Sequence, residues 1–252
     1  MNDAVVWHEV ECGPYAADLP LWRELAAQAD GPVLELGAGT GRVALDLAEH
    51  GHAVTALDSD GALLEELGRR ARRRGLALET VRCDARRRAS FGRFALVLAP
   101  MQFLQVLGGA PARASVLEAA AGSLVPGGRF AAALAALQGD PWRGTLRGDE
   151  AVGPQDALPP LPDVGERDGW VFSSLPLDVR PDPGGGVAVE RLRQRISPAG
   201  ELSEERHTQR LDPLTPELLE REAAAAGLRP EARHEIAATP DHVGSTVVVC
   251  RR

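Results

Sequence analysis

The sequence has few cysteines, few aromatic residues and no long apolar run, and each scarcity excludes a class of protein. Its three cysteines, Cys12, Cys83 and Cys250, have neither the number nor the spacing of a disulfide framework or a zinc site, so we expect ordinary thiols and no metal. No apolar run approaches the roughly 20 residues that a membrane span requires. The N-terminal residues show no basic start followed by an apolar stretch, so we expect no secretory signal and a cytoplasmic protein.

Lysine is absent, so all 28 residues counted as lysine plus arginine are arginines, and they are outnumbered by 36 acidic residues. A net charge of −8 disfavours a protein that follows a phosphate backbone. Arginine runs at residues 69–74 and 86–88 point the other way, and we interpret them as a solvated helix end and a solvated loop. Aromatic residues make up only 4% of the chain, and no basic patch is interleaved with them. We therefore do not expect a nucleic-acid partner.

The first half alternates short apolar segments with helical ones, which predicts a parallel sheet covered by helices on both faces. Residues 1–138 form the predicted core, with a leading helix at 20–29 and a Pro-Gly-Gly turn at 126–128. Strands are predicted at 33–36, 53–57, 78–83, 94–98 and 129–137, and helices at 42–50, 63–74 and 112–124.

The composition changes after residue 138. Residues 139–169 are rich in Gly, Pro and Asp and predict a long loop, followed by strands at 170–180, 187–197 and 201–211. We interpret residues 139–211 as an antiparallel insertion that covers the cleft as a lid and that could supply homodimer contacts. Residues 212–252 return to the core with a helix at 216–226 and strands at 229–236 and 245–251. The predicted fold is α/β, a doubly wound, seven-stranded, mostly parallel Rossmann-like sheet with this insertion.

The strongest local signal is the glycine-rich turn between the first predicted strand and its helix, residues 33–42, Val-Leu-Glu-Leu-Gly-Ala-Gly-Thr-Gly-Arg. Such a turn lets a ligand approach bare backbone at a helix N-terminus. The spacing is GxGxG, and Arg42 stands where a dinucleotide-binding loop has its last glycine, which disfavours a nicotinamide cofactor. Asp58 and Asp84 end the next two predicted strands, so with Glu35 three acids face one cleft.

This series, Glu35 to Gly41, Asp58, Asp84 and Pro126-Gly127-Gly128, resembles the motifs of class I S-adenosylmethionine methyltransferases. The resemblance implies that the glycine loop lies under the methionine part of the cofactor, Glu35 orients its ammonium, Asp58 holds the ribose and Asp84 meets the adenine. Ser59 departs from the pattern, because that position is often apolar. The cofactor contacts implied are Tyr15, Glu35, Gly37, Ala38, Gly39, Gly41, Asp58, Ser59, Cys83, Asp84, Ala85, Ala99 and Met101, and the product is S-adenosylhomocysteine.

Catalytic candidates follow from the loops at the same rim. The loop after the fourth predicted strand should place Met101 and Gln102 in the wall of the pocket, with Gln102 as a hydrogen-bond partner of the substrate. The loop between the last two strands brings His242 to the cleft mouth, where it is a candidate base or substrate ligand. The alternative for His242 is a turn residue paired with Asp241. His207 is a weaker candidate, and His8, His50, His52 and His234 are weaker still.

Several functions remain open on the sequence. We favour methyl transfer to an N or O nucleophile of a small molecule, such as a natural product or small peptide. The alternatives are an RNA or protein methyltransferase, an aminopropyl transferase and a non-catalytic partner that keeps the cofactor fold.

Overall fold

The computed structural model describes residues 2–87, 89–135, 161–239 and 242–252. Its six α-helices in the described ranges are α1 (Asp3–Cys12), α2 (Leu19–Ala27), α3 (Arg42–Glu49), α4 (Gly61–Arg73), α5 (Ala110–Ser123) and α6 (Pro216–Ala225). Its strands there are β1 (Val33–Leu36), β2 (Val54–Asp58), β3 (Glu79–Arg82), β4 (Phe94–Ala99), β5 (Leu124–Ala135), β6 (Asp163–Arg167), β7 (Trp170–Pro181), β8 (Val187–Ile196), β9 (Leu202–Leu211), β10 (Arg229–Ile236) and β11 (Ser245–Arg251).

The main sheet has seven strands in the order β10-β11-β5-β4-β1-β2-β3. Strands β1 to β5 run parallel, and β11 pairs antiparallel with both β5 and β10. Strand order reverses between β1 and β4, which is where open α/β sheets bind their ligands, outside the carboxyl ends of the strands. The predicted doubly wound, seven-stranded, mostly parallel sheet is confirmed.

Both faces of the main sheet are buried at its central strands β1 and β4, as their apolar residues require. Along β4, Leu96 and Leu98 pack on the face covered by α2, α3 and α4. Val97 and Ala99 point to the opposite face, which α5 and α6 cover. The six residues of β4 are all buried, so this strand is the centre of the core.

The second sheet is antiparallel, with the order β6-β7-β8-β9, and α1 packs against it. The apolar contact joins Val6, Trp7 and Val10 of α1 to Phe172 of β7. A polar contact joins Glu11 to Arg193 of β8, whose guanidinium donates to both carboxylate oxygens at 2.7 and 2.8 Å. The helix and the second sheet therefore form one unit, which we call the cover.

Two sequence predictions for these regions were wrong, and one helix was missed. Helix α1 was not predicted, although Asn2 caps it by accepting from the amides of Ala4 and Val5 at 3.0 and 3.4 Å. The predicted loop at 139–169 contains β6, and its residues 139–160 lie outside the described ranges. The predicted Pro-Gly-Gly turn lies within β5, where the pairing with β4 shifts register. The lid and homodimer roles of the insertion stay predictions.

The return from the second sheet to the core is fixed by a buried ion cluster. Arg113 of α5, with 5% of its side chain exposed, donates to Asp212 at 2.7 Å and to both oxygens of Glu222 at 2.7 and 2.8 Å. Asp212, which follows β9, also accepts from the amide of Gly109 at 2.6 Å. Within the described residues, no helix is long and apolar enough to span a membrane.

We predict that Arg113→Ala lowers the free energy of unfolding by about 3 kcal/mol, because two partly buried carboxylates lose their buried counter-charge. Urea unfolding followed by circular dichroism measures the change. Arg233→Ala is the matched control, because Arg233 forms exposed pairs with Glu217 and Glu220 and should cost at most about 1 kcal/mol. A loss for Arg113→Ala no larger than that of the control would contradict the prediction.

Candidate active site

The glycine loop between β1 and α3 exposes backbone because side chains have no room there. Gly37, Gly39 and Gly41 have φ angles of 67°, 57° and 91°, in the left-handed region that glycine tolerates. A Cβ on Gly37 would lie 2.4 Å from the ring of Phe103, and one on Gly39 would lie 2.0 Å from Nε2 of His8. The loop therefore offers bare amides at the start of α3, and Ala38, with its amide bonded to the carbonyl of Leu57 at 2.9 Å, is buried within it.

Asp58 ends β2 and connects the glycine loop to the next turn. Its Oδ2 accepts from the amide of Gly39 at 2.8 Å, and its Oδ1 accepts from the amide of Asp60 at 2.9 Å. Asp60 in turn caps α4 through the amides of Ala62 and Leu63. One carboxylate thus sets the spacing between two adjacent strand ends at the rim where a ribose is expected.

Glu35 lies in β1 with its side chain buried directly under this loop. Its Oε2 has no hydrogen-bond partner among the described residues. Burial raises the pKa of Glu35 to about 8, although the nearby guanidinium of Arg42 favours the charged form. A buried acid without a full set of partners suits a site that receives a positively charged group.

At the end of β3, the chain turns through Cys83, Asp84 and Ala85 beside β2. The amide of Cys83 donates to the carbonyl of Asp58 at 2.8 Å, and Ala85 is buried at the start of a short 3₁₀ turn. The side chain and the amide of Arg86 donate to Asp84 and lower the pKa of its carboxyl to about 2. Asp84 also forms an ion pair with Arg87 at 3.4 Å. The second arginine run is thus partly engaged by Asp84, and Arg88 lies outside the described residues.

Ser59 and Ala99 lie at the same rim but differ in burial. Ser59 is exposed after β2, and its carbonyl accepts from Arg82 at 3.4 Å. Ala99 is fully buried at the end of β4. Next to it, Met101 has a φ of 54°, which is rare for a side chain other than glycine and marks a strained turn at the strand end.

A cavity of about 210 Å³ lies between this rim and the cover, as bounded by the described residues. Met101 and Gln102 line one side, and Tyr15 and His242 line another. The rings of Tyr15 and His242 are stacked, with centroids 4.8 Å apart and an angle of 17° between their planes. Met101, Gln102 and His242, which were predicted at the substrate pocket, thus line one cavity together with Tyr15, which was predicted as a cofactor contact.

Tyr15 is held from several sides. The guanidinium of Arg42 lies over its ring at 5.1 Å, and its hydroxyl bonds to Ser245. Burial raises the pKa of Tyr15, helped by the nearby carboxylate of Asp18. Arg42 also pairs with Asp18 at 2.8 Å, so the first turn of α3 and the segment after α1 are tied together.

His242 takes its position from the loop between β10 and β11. Its amide donates to the hydroxyl of Thr239 at 3.0 Å, and its carbonyl accepts from the amide of Thr239 at 2.9 Å. The proposed alternative partner Asp241 lies outside the described residues. His207, the weaker candidate, lies half-buried on β9 opposite Arg191.

Sequence reasoning missed the polar residues that the cover adds to the cavity. Asp163 of β6 and Arg191 of β8 form an ion pair, and Arg191 also donates to Ser174 at 2.8 Å. Burial raises the pKa of Asp163, while Arg191 and His242 act in the opposite direction. Glu11 of α1 lies 3.5 Å from Arg191. No sequence signal linked these residues, because Glu11 and its partner Arg193 are 182 positions apart.

The described residues of the cleft contain no cluster of metal ligands. Among the described residues, no group of three or more His, Cys, Asp or Glu side chains could hold a metal ion. Cys12 lines the cavity, but burial raises the pKa of its thiol to about 12, so it is not a thiolate nucleophile near neutral pH.

The residues present fit S-adenosylmethionine. The unpartnered Oε2 of Glu35 can receive the ammonium, the glycine loop presents backbone rather than side chains, and the carboxylate of Asp58 lies beside it. Each of these groups has a complement in the cofactor's amino-acid and ribose parts.

Comparison with solved structures shows the same fold in several methyltransferases. The CcbJ methyltransferase from Streptomyces caelestis is 24% identical with a TM-score of 0.65, and the match covers 94% of this chain and 90% of that one. The sugar N-methyltransferase KedS8 from a Streptoalloteichus species is 20% identical with a TM-score of 0.69, covering 100% and 94%. CalS10, an amino pentose methyltransferase from Micromonospora echinaspora, is 19% identical with a TM-score of 0.64, covering 100% and 98%. At these identities the likeness shows the fold.

The sequence itself gives the remaining evidence. None of the curated proteins matches this chain. Residues 33–128 match the family described as a methyltransferase domain, and they contain the glycine loop, Asp58 and Asp84. Residues 33–128 thus resemble a methyltransferase domain, and the fold around them is the one found in solved methyltransferases.

Proposed function

We propose that the chain is a class I S-adenosylmethionine-dependent methyltransferase and that it acts on the amine nitrogen of a small molecule. The observation that carries the proposal is the cavity of about 210 Å³ in which His242 and Asp163 meet Tyr15 and Gln102. Ligand sites for small molecules have volumes of roughly 300–1,000 Å³, so a cavity below that range suits a single small ring or side chain. Its acids and histidine suit a substrate that arrives as a cation.

The cofactor end of the cleft receives the roles that the motif series implies. Glu35 binds the ammonium of the methionine part, Asp58 binds the ribose and the backbone from Gly37 to Gly41 lies under the chain between them. Cys83, Asp84 and Ala85 border the adenine. When bound, S-adenosylmethionine supplies a methyl group whose carbon–sulfur bonding pair stays with sulfur as the new bond to the substrate forms.

At the substrate end of the cleft, we assign removal of the substrate's ammonium proton to His242. An ammonium must lose a proton before its nitrogen lone pair can attack the methyl carbon, and the imidazole of His242 takes that proton. Asp163 attracts the cation, and Gln102 offers an amide for orientation. Apolar residues of the cover, including Val189 and Leu211, line the cavity and exclude water, so the nitrogen is held in line with the bond that breaks.

The names of structurally similar enzymes support an amine substrate. KedS8 is described as a sugar N-methyltransferase and CalS10 as an amino pentose methyltransferase. A further match, the MtfA enzyme, is described as a glycopeptide N-methyltransferase and is 22% identical with a TM-score of 0.57. Two of these names specify N-methylation and the third names an amino pentose, and none of them identifies the substrate of this chain.

A substrate panel tests the proposal. Amino sugars, small peptides and simple amines are compared with matched alcohols, and release of S-adenosylhomocysteine is measured with S-adenosylmethionine present. Turnover of one or more amines, with none of the matched alcohol, supports the proposal. Turnover only of alcohols, or only of RNA or protein, contradicts it.

Replacement of His242 by asparagine should lower kcat by about 10²-fold on the amine that the panel identifies, because the proton acceptor is lost. The KM for the amine should change little, and the loss should shrink as the pH rises and the free amine becomes abundant. Steady-state kinetics across pH measure both effects. His234→Asn, on β10 away from the cavity, is the control. Unchanged turnover in His242→Asn would remove the histidine from the mechanism.

Replacement of Asp163 by asparagine should raise the KM for the amine by about tenfold, since a charge-assisted contact is lost while the proton acceptor stays. Asp178→Asn on β7 is the matched control, because Asp178 pairs with Arg180 at 3.7 Å and both are more exposed. The prediction fails if kcat falls and KM does not move.

Because the pKa of Glu35 is raised, we expect the affinity for the cofactor to depend on pH. With its pKa raised to about 8, the acid is mostly protonated at pH 7 in the free protein, and it must ionise to pair with an ammonium. The affinity for S-adenosylhomocysteine should therefore rise by roughly tenfold per pH unit up to about pH 8. Calorimetry from pH 6 to 8 measures this, and Glu35→Gln should show no such rise. Equal slopes in the two proteins would contradict the assignment.

A further inference from the structure

Helix α1 lies across the glycine loop, and its side chain His8 touches the loop at Gly39. A Cβ on Gly39 would lie 2.0 Å from Nε2 of His8 and 2.5 Å from its Cε1. The imidazole edge that carries Nε2 therefore rests on the bare backbone of the loop. His8 was only a weak candidate in the sequence analysis, because nothing in the linear pattern brings residue 8 to residue 39.

The hydrogen bonds around His8 determine which ring nitrogen carries the proton. Nδ1 lies 3.1 Å from the hydroxyl of Thr40, and that hydroxyl also contacts a carboxylate oxygen of Glu9. Glu9 pairs with Arg70, so its carboxylate only accepts, and the hydroxyl of Thr40 donates to it. The same hydroxyl then accepts from Nδ1–H of His8, which leaves Nε2 with its lone pair.

The imidazole is neutral near pH 7. Burial is the largest influence on the pKa of His8 and lowers it. Glu9 and Asp58 act to raise the pKa, while Arg42 and Arg70 act to lower it. His8 is thus an acceptor at Nε2 and a donor at Nδ1, and in the described part of the chain Nε2 has no hydrogen-bond donor.

The acceptor stands at one particular place in the cleft. The amide of Gly39 bonds to the carboxylate of Asp58 at 2.8 Å, so the imidazole over Gly39 is next to the acid at the end of β2. The carboxylate of Asp58 already accepts two amides, from Gly39 and Asp60. The two lone-pair positions that remain on Asp58 can accept at most the two ribose hydroxyls, and Nε2 of His8 offers a further acceptor beside them.

We propose that His8 is a cofactor-binding residue whose Nε2 accepts a hydrogen bond from a ribose hydroxyl of S-adenosylmethionine. The inference rests on the proposed cofactor site, and it adds a residue from outside the core fold. Helix α1 also contributes Glu11 and Cys12 to the substrate cavity. One helix therefore contacts both ligands. A cofactor bound to His8 also keeps Glu11 and Cys12 in position at the substrate cavity.

Two substitutions separate this role from a purely structural one. The amide of asparagine in His8→Asn can replace Nδ1 and keep the bond to Thr40, but it has nothing at the place of Nε2. The longer side chain in His8→Gln reaches the place of Nε2 and provides an acceptor there. Calorimetry with S-adenosylhomocysteine compares both with the wild-type protein, and thermal unfolding without ligand monitors the fold. His52→Asn, in the turn between α3 and β2, is the matched control.

We expect His8→Asn to bind S-adenosylhomocysteine about tenfold more weakly, the value of one neutral hydrogen bond. His8→Gln should recover most of that affinity, and His52→Asn should bind like the wild type. The unfolding temperature of free His8→Asn should match that of the wild type, because the Thr40 bond remains. Wild-type affinity in His8→Asn, or an equal loss in both His8 variants, would overturn the proposal.

A measurement on the unaltered protein covers the case in which the variants fold poorly. The ¹⁵N resonance of Nε2 in His8 should move upfield when S-adenosylhomocysteine is added, as for an imidazole nitrogen that gains a hydrogen-bond donor. An unchanged resonance at saturating ligand would overturn the proposal. A wild-type protein that bound no S-adenosylhomocysteine would instead remove the cofactor site itself, whereas failure on every amine would affect only the substrate assignment.

Discussion

The carboxylate of Asp58 is the constraint on which the geometry of the cleft depends. It ends β2, accepts from the amide of Gly39 in one turn and accepts from the amide of Asp60 in the next. The left-handed glycines of the loop can adopt many other conformations, and this pair of bonds selects one of them. The bare backbone, the start of α3 and the start of α4 are therefore held in register at the rim where the strand order reverses.

The cover meets the core through a mostly polar seam. Within the cover the contacts are apolar, as between Trp7 and Phe172, whose rings lie edge to face at 5.8 Å. Toward the core, α1 presents His8 and Glu9 to Thr40 and Arg70. Polar contacts can exchange for water or ligand groups at a smaller cost than buried apolar ones. This distribution suits the proposed role of α1, in which the helix contacts cofactor and substrate while it stays attached to its own sheet.

The sequence predicted the core and the strands β7, β8 and β9 of the cover, but it missed α1, β6 and the contacts that join them. Glycine spacing, strand-end acids and apolar periodicity are local signals, and they located β1 to β5, the glycine loop and Asp58. The cover depends on pairs such as Glu11 with Arg193, which are far apart in sequence and leave no local pattern. Helix α1 was missed because it divides its surface between the apolar second sheet and the polar loop, so no simple apolar stripe marks it. Asp163 was missed because its short strand is embedded in a segment rich in loop-forming residues.

The most direct test of this account is calorimetry of the protein with S-adenosylhomocysteine, repeated with Asp58→Ala. The account predicts micromolar binding that is lost in the variant, because the ribose acceptor and the tether of the glycine loop disappear together. Asp30→Ala, outside the cleft at the turn before β1, should bind like the wild type. Equal binding by wild type and Asp58→Ala would contradict the account, because the cleft at the end of β2 would then not be the place where the cofactor binds.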